Sequence, residues 1–244
     1  MSSPFRTDRI ASARAFAAAL VFSLALTSAP SAEETVLAAA TIQPRDGIHL
    51  QSPIDLPAMP PKSAQQHEIA IHYADTAEHL IHRDHTIEMQ YDPGSEVEFD
   101  GRHFALEQLH FHTPSEHLIA HRRFPVELHL VHHDGEGRAL VLGLLFEVGP
   151  PNPFVERILQ DAPRDIGRVD LEGHLDVSKL FPSEKHFYSY EGSLTTAPYE
   201  EGIQWLILSE HPTVSAEQVV RLLVLEGGNA RDVQPLNGRE IDGS

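Results

Sequence analysis

From Gln108 to His112 the chain alternates: Gln108, His110 and His112 are separated by Leu109 and Phe111. It alternates again further on, where Glu127, His129 and Val131 are separated by Leu128 and Leu130. A period of two is that of a β-strand, whose residues two apart share a face. Two neighbouring strands of this kind would bring His110, His112 and His129 onto one surface. Three neutral imidazole nitrogens without a fourth protein ligand describe a catalytic zinc site with one position left for water. A closed structural site normally recruits a fourth ligand, often Cys, and the chain has no cysteine. His-x-His alone is also common on plain strand surfaces. Gln108 and Glu127 favour the metal reading, because each lies two residues before a histidine and can accept its other ring N–H. The plain alternative for Glu127 is a cross-strand charge.

The 244 residues suffice for one sizeable domain with a real core. The N-terminus is set apart from it. Arg6, Arg9 and Arg14 precede an apolar run from Ala15 to Leu26, followed by small residues. That is the layout of a secretory signal peptide over residues 1–32, with cleavage as late as residue 40 also compatible. The apolar run is short for a membrane anchor. Removing three Arg and one Asp from 18 basic and 36 acidic residues leaves 15 against 35, a net charge of −20 with His neutral. So acidic a chain is a poor partner for nucleic acid or for an anionic membrane surface. An exported protein without cysteine has no disulfide, so its stability must come from its core.

Residues 33–48 read as a loose lead-in, and from residue 49 onward the chain reads as one domain. Strands are expected at 67–72, 86–91, 96–99, 105–112, 126–132, 139–147 and 204–208, where residues alternate or run apolar between Gly, Pro and Asp. Asp134-Gly135 marks a turn, so the strands flanking it should pair antiparallel. Helices are expected at 154–160 and 216–225. Ser215 is the N-cap of the second, and Gln218 stands at capping-box spacing. The expected fold is mainly β, a single domain with a large central, mostly antiparallel twisted sheet and a few peripheral helices.

Five separated motifs then resemble the alpha-class carbonic anhydrases of the bacterial exported type. They are Gln51-Ser52-Pro53-Ile54-Asp55, the run Gln108 to His117, the run Glu127 to His132, Gly192-Ser193-Leu194-Thr195-Thr196, and the run Gln234 to Arg239. The resemblance covers residues 51–241. It implies a periplasmic or secreted enzyme that hydrates carbon dioxide reversibly to bicarbonate and a proton. It further implies one zinc ion per chain on His110, His112 and His129, whose bound water is ionised near neutral pH. Thr195 and Glu116 match the residues that orient the attacking hydroxide. Val131, Val141, Leu194 and Trp205 match the apolar wall beside the metal, and Thr196 stands near the departing bicarbonate. Gln108, Glu127 and His117 match the groups that support the ligands. His85 matches the histidine that passes the proton to solvent, a task suited to a side chain with a pKa near 6.5.

The chain departs from the family in several places. The aromatic segment before the Gln-Ser-Pro motif is missing, and residues 41–50 read Thr-Ile-Gln-Pro-Arg-Asp-Gly-Ile-His-Leu. The disulfide usual near the threonine loop is absent, with Tyr199 where its downstream cysteine would be, which implies a looser loop. Ala197 replaces a proline. Arg83 and Glu88 stand where asparagines often flank the shuttle histidine, which implies an active enzyme with slowed proton transfer. Two other readings are a non-catalytic binding module of the same fold and a periplasmic zinc store using the 17 His. No stable membrane association is expected after signal removal, and the oligomeric state is open, a dimer included.

Overall fold

The computed structural model describes residues 49–62, 67–182 and 185–243. The expected signal peptide and the lead-in 33–48 lie outside the described residues. In chain order the strands are β1 (Asp55–Leu56), β2 (Ile69–His72), β3 (Glu78–Arg83), β4 (Thr86–Tyr91), β5 (Glu96–Phe99), β6 (Arg102–His112), β7 (Leu118–Ile119) and β8 (Arg122–Arg123). They continue as β9 (Val126–His133), β10 (Ala139–Val148), β11 (Gly167–Asp170), β12 (Phe187–Ser193), β13 (Glu201–Leu208), β14 (Thr213–Val214) and β15 (Asp242–Gly243). The helices are α1 (Pro153–Asp161) and α2 (Ala216–Glu226), with a 3-10 turn at Val177–Leu180.

One large sheet carries the site. Its order is β11-β3-β4-β6-β9-β10-β13-β12-β15, with β5 beside the first half of β6 and β2 beside β5. Pairing is antiparallel except where β10 meets β13 and β14. The Asp134-Gly135 turn does join an antiparallel pair, β9 and β10. Every expected strand is present. Among the described residues the structure adds eight more, the longest being β3 and β12, where buried polar residues such as Glu78 and Ser189 break the apolar pattern in sequence.

The central strands are covered on both faces. Leu109, Phe111, Leu128, Leu130, Leu140, Leu142 and Leu206 pack into one core cluster with Phe154, Val155 and Ile158 of α1 and Leu222 of α2. Val131, Val141, Leu145, Ile203, Trp205 and Ile207 form the other cluster with Ile54, Tyr188 and Tyr190. Burial on both faces explains why β9 and β10 read as nearly continuous apolar runs. The two helices belong to the first face, so the histidine-bearing face is left to loops.

Helix ends are tied by side chains. Ser215 and Gln218 form the expected capping box on α2. Gln218 also accepts the N–H of Asn152, the N-cap of α1, at 2.9 Å, which joins the two helix starts. At the other end of α2, Glu226 is 1% exposed. Its Oε1 accepts the Ile87 N–H at 2.8 Å. Burial pushes the Glu226 carboxyl up to about 8, against the smaller downward pull of that hydrogen bond. The folded chain therefore holds this proton after the unfolded chain has released it. The resulting penalty is absent below the ordinary carboxylate range, grows as pH rises, and is complete above about 8. Glu226→Gln should thus raise Tm by several °C at pH 9 and change it little at pH 4. Thermal melts of both proteins across that range check it, and an equal gap at the two ends would refute it.

Candidate metal centre

The His cluster comes from strand register. β6 and β9 are antiparallel neighbours with His110 opposite His129, His112 opposite Glu127 and Gln108 opposite Val131. The register shifts between Leu106 and Gln108, a bulge at Glu107 that places the second half of β6 against β9 in this phase. One ligand atom from each of His110, His112 and His129 lies within 4.8 Å of the other two. The ring centroids are 5.0 Å apart for His110 and His112, 5.3 Å for His110 and His129, and 4.6 Å for His112 and His129.

Each ring has one nitrogen tied down. Gln108 Oε1 lies 2.8 Å from His110 Nδ1, the Asn229 carbonyl lies 3.2 Å from His112 Nδ1, and Glu127 Oε1 lies 2.8 Å from His129 Nε2. These partners accept, so those nitrogens donate. The nitrogens that remain for a cation are His110 Nε2, His112 Nε2 and His129 Nδ1. Burial, with His129 adding repulsion, pulls His110 down to about 3 and His112 well below its usual value. Both rings are therefore neutral, as ligation requires. Burial also opposes charge on His129, but Glu127 outweighs it and leaves that ring raised. Glu127 in turn stays ionised although buried, because His117 and His129 both donate to it.

His112 Nε2 is buried and has no hydrogen-bond partner among the described residues. Glu116 Oε2, 3.5 Å away, is likewise unpartnered. An orphaned acceptor beside two further imidazoles is costly unless a cation fills the space. The donor set, three imidazole nitrogens with no thiolate, suits zinc.

Around this point the structure assembles most of the residues singled out from the sequence. Thr195, nearly buried, has its hydroxyl on the Glu116 carboxyl's side, where it favours the ionised form. The Arg231 N–H donates to Glu116 Oε1 at 2.8 Å. Burial pushes the Glu116 carboxyl up to about 7 despite these two groups. Val131, Val141 and Trp205 share one apolar cluster, and Leu194 packs against it. The Trp205 ring lies 4.8 Å from that of His129, and Thr196 is exposed at the rim. His117 Nδ1 lies 2.7 Å from Glu127 Oε1, and its Nε2 lies 2.6 Å from the Tyr190 hydroxyl. His85 stands apart, exposed at the turn between β3 and β4.

The two flanking departures meet each other. Arg83 donates twice to Glu88 at 3.2 Å, and Gln90 Nε2 donates to Glu88 Oε1 at 2.7 Å. Glu88 stands directly across from His110 in the β4–β6 pairing. The threonine loop also has a non-covalent tie. The Arg231 guanidinium lies 3.7 Å over the Tyr199 ring and donates to Gln51 Oε1 and the Ser52 carbonyl. Gln51 Nε2 in turn donates to the Tyr199 carbonyl at 3.1 Å. Sequence reasoning assigned nothing to Asn229, Arg231, Tyr190 or Ser52. Their signal was weak, because each acts through a long-range contact that no local pattern marks.

The sequence profile described as eukaryotic-type carbonic anhydrase matches residues 41–244. The chain belongs to the alpha carbonic anhydrase family. A carbonic anhydrase of Pectobacterium carotovorum is 35% identical over 193 residues, covering 78% of each chain. One of Nostoc sp. is 35% identical over 197 residues, covering 78% of this chain and 74% of the relative. Among solved structures, a hyperthermostable carbonic anhydrase from an active hydrothermal vent chimney superposes with a TM-score of 0.75 at 38% identity. That match covers 79% of this chain and 86% of the other. The chain is thus an enzyme of the carbonic anhydrase type, and carbon dioxide hydration is the reaction its family and fold support.

Glu127→Ala would strip four donors of their acceptor: the N–H groups of Glu116 and His117 and one ring nitrogen each of His117 and His129. Urea unfolding of the metal-free chain should show a loss of about 3–5 kcal/mol. A loss under about 1 kcal/mol, the range of surface charge pairs, would mean that Glu127 is not holding the site.

Proposed function

We propose that the chain hydrates carbon dioxide reversibly as a zinc enzyme with one ion on His110, His112 and His129. The observation that carries this is the convergence of three otherwise unengaged imidazole nitrogens in a chain without cysteine. When bound, zinc supplies Lewis acidity that brings the pKa of a ligated water to about 7, a value for which carbonic anhydrase is itself the reference case.

The remaining work falls to the chain's own side chains. Glu116, when ionised, can only accept, so Thr195 spends its one proton on it. The Thr195 oxygen is then left to accept the O–H of the attacking water, which turns that water's lone pair toward carbon. This is orientation rather than acid–base chemistry, and it is worth on the order of 10²-fold in rate. Val131, Val141, Leu194 and Trp205 offer carbon dioxide an apolar surface that water binds poorly. Thr196, exposed at the rim, offers a hydroxyl to bicarbonate on its way out. Each turnover leaves one proton to remove, and His85, open to solvent, is the carrier.

Residues 1–32 are read as an export signal that places the mature enzyme in the periplasm or outside the cell. No helix among the described residues is long and apolar enough to cross a membrane.

Stopped-flow carbon dioxide hydration on zinc-loaded protein tests the reading. The wild type should bind one zinc per chain and hydrate carbon dioxide. His129→Ala should lose both properties, and Thr195→Ala should keep its zinc while kcat/KM falls on the order of 10²-fold. One tightly bound zinc with no hydration would instead make the chain a non-catalytic binding module. Several exchangeable zinc ions per chain would make it a store.

A further inference from the structure

The pairing of β4 with β6 stops early. It runs from Gln90 and Gln108 to Glu88 and His110, and no farther. Beyond that point β6 continues to His112 while β4 turns back through His85. The splayed strands leave backbone groups unpaired on their facing edges, and a buried amide without a partner is costly. The segment that leaves α2 fills the gap. Glu226 Oε1 accepts the Ile87 N–H at 2.8 Å. Asn229 Nδ2 donates to the His85 carbonyl at 3.1 Å and to the Phe111 carbonyl at 3.0 Å. Asn229 Oδ1 accepts the Thr113 N–H at 2.9 Å, and its backbone carbonyl faces His112 Nδ1. Between them, a Cβ placed on Gly227 would lie 3.7 Å from His85 Nδ1, so the shuttle ring sits beside this segment.

Glu226 is a poor choice for stability. It is an ionisable side chain at the end of a helix, and it is almost fully buried. Its second oxygen has no hydrogen-bond partner among the described residues. A side chain that is unfavourable on both counts yet reaches one amide two residues from His85 points to a positional task. We propose that Glu226 is a positioning residue for proton transfer: it holds the Asp84–Ile87 turn against the end of α2 and so sets how far His85 stands from the histidine cluster. The inference rests on the reading of His85 as the proton carrier. Because burial keeps the Glu226 carboxyl largely protonated at neutral pH, a neutral acceptor of the same shape should serve equally well.

The experiment compares wild type, Glu226→Gln, Glu226→Leu and His85→Ala in carbon dioxide hydration, in dilute buffer and again with added imidazole. Glu226→Met, which has similar volume and no acceptor, replaces the Leu variant if that one does not fold. In dilute buffer Glu226→Leu should lower kcat about ten-fold and leave kcat/KM unchanged, because only the proton step is slowed. Imidazole, which carries the proton in place of His85, should restore kcat. Glu226→Gln should restore it without imidazole. In the metal-free chain, the Ile87 amide should exchange with solvent faster in Glu226→Leu than in Glu226→Gln. Equal losses of kcat and kcat/KM, or no recovery with imidazole, would overturn the positional role and leave Glu226 a fold residue. If His85→Ala loses kcat in dilute buffer and Glu226→Leu does not, the inference alone falls. If His85→Ala keeps the wild-type kcat, the shuttle reading falls and the inference with it.

Discussion

Glu127 is a carboxylate with no accessible surface, and it persists because its oxygens are fully used. Oε2 accepts the N–H groups of Glu116 and His117, each at 2.8 Å. Oε1 accepts from the rings of His117 and His129. One buried charge therefore fixes the backbone of the turn that carries Glu116, the tautomer of His129 and the ring of His117. The line continues outward. The Tyr190 hydroxyl meets His117 Nε2, Ser52 Oγ meets the Tyr190 hydroxyl at 2.9 Å, and the Ser193 N–H donates to Ser52 Oγ at 3.1 Å. Because a carboxylate only accepts, the direction of the line is set from its Glu127 end. Residues 52, 117, 129, 190 and 193 are thus oriented by one group.

The same economy appears in the loop that carries Thr195. It has no disulfide, yet Arg231 ties it to two other segments of the site. Its guanidinium covers Tyr199, its Nη atoms reach Gln51 and Ser52, and its backbone N–H meets Glu116. A guanidinium over an aromatic ring, partly shielded from water, contributes roughly 1–2 kcal/mol. That is less than a covalent staple typically contributes. In exchange, the tie joins the loop directly to the Glu116 side of the site. The Arg83–Glu88 pair has a related effect on the opposite wall. Two charges expected to disturb the path near His85 neutralise each other within one short segment.

Much of the fold was legible because the sheet is patterned with a period of two. Gln108, His110 and His112 had to share a face once their segment was a strand, and so did Glu127, His129 and Val131. The Ser215 capping box was legible for the same reason, since its partners lie within one turn. β3 escaped because Glu78 is buried among apolar neighbours. That burial is offset by groups from another segment: the Leu175 N–H donates to Glu78 Oε2, and His174 Nδ1 lies 2.8 Å from Glu78 Oε1. Asn229, Arg231 and Glu226 escaped because their partners lie more than 100 residues away in sequence.

Local pattern alone accounts for the residue types of the site, the face each occupies on its strand, and the family whose motifs the chain repeats. These are consequences of short-range periodicity and of donor chemistry, which do not depend on where distant segments go. That His110 stands opposite His129 required the folded sheet, because the register depends on the bulge at Glu107 and on two packed faces. The tertiary structure alone decided which imidazole nitrogens remain for a metal, because each tautomer is set by an acceptor supplied from elsewhere in the chain. It also decided that the end of α2 closes the gap between β4 and β6, because a splay between strands exists only once the sheet has formed.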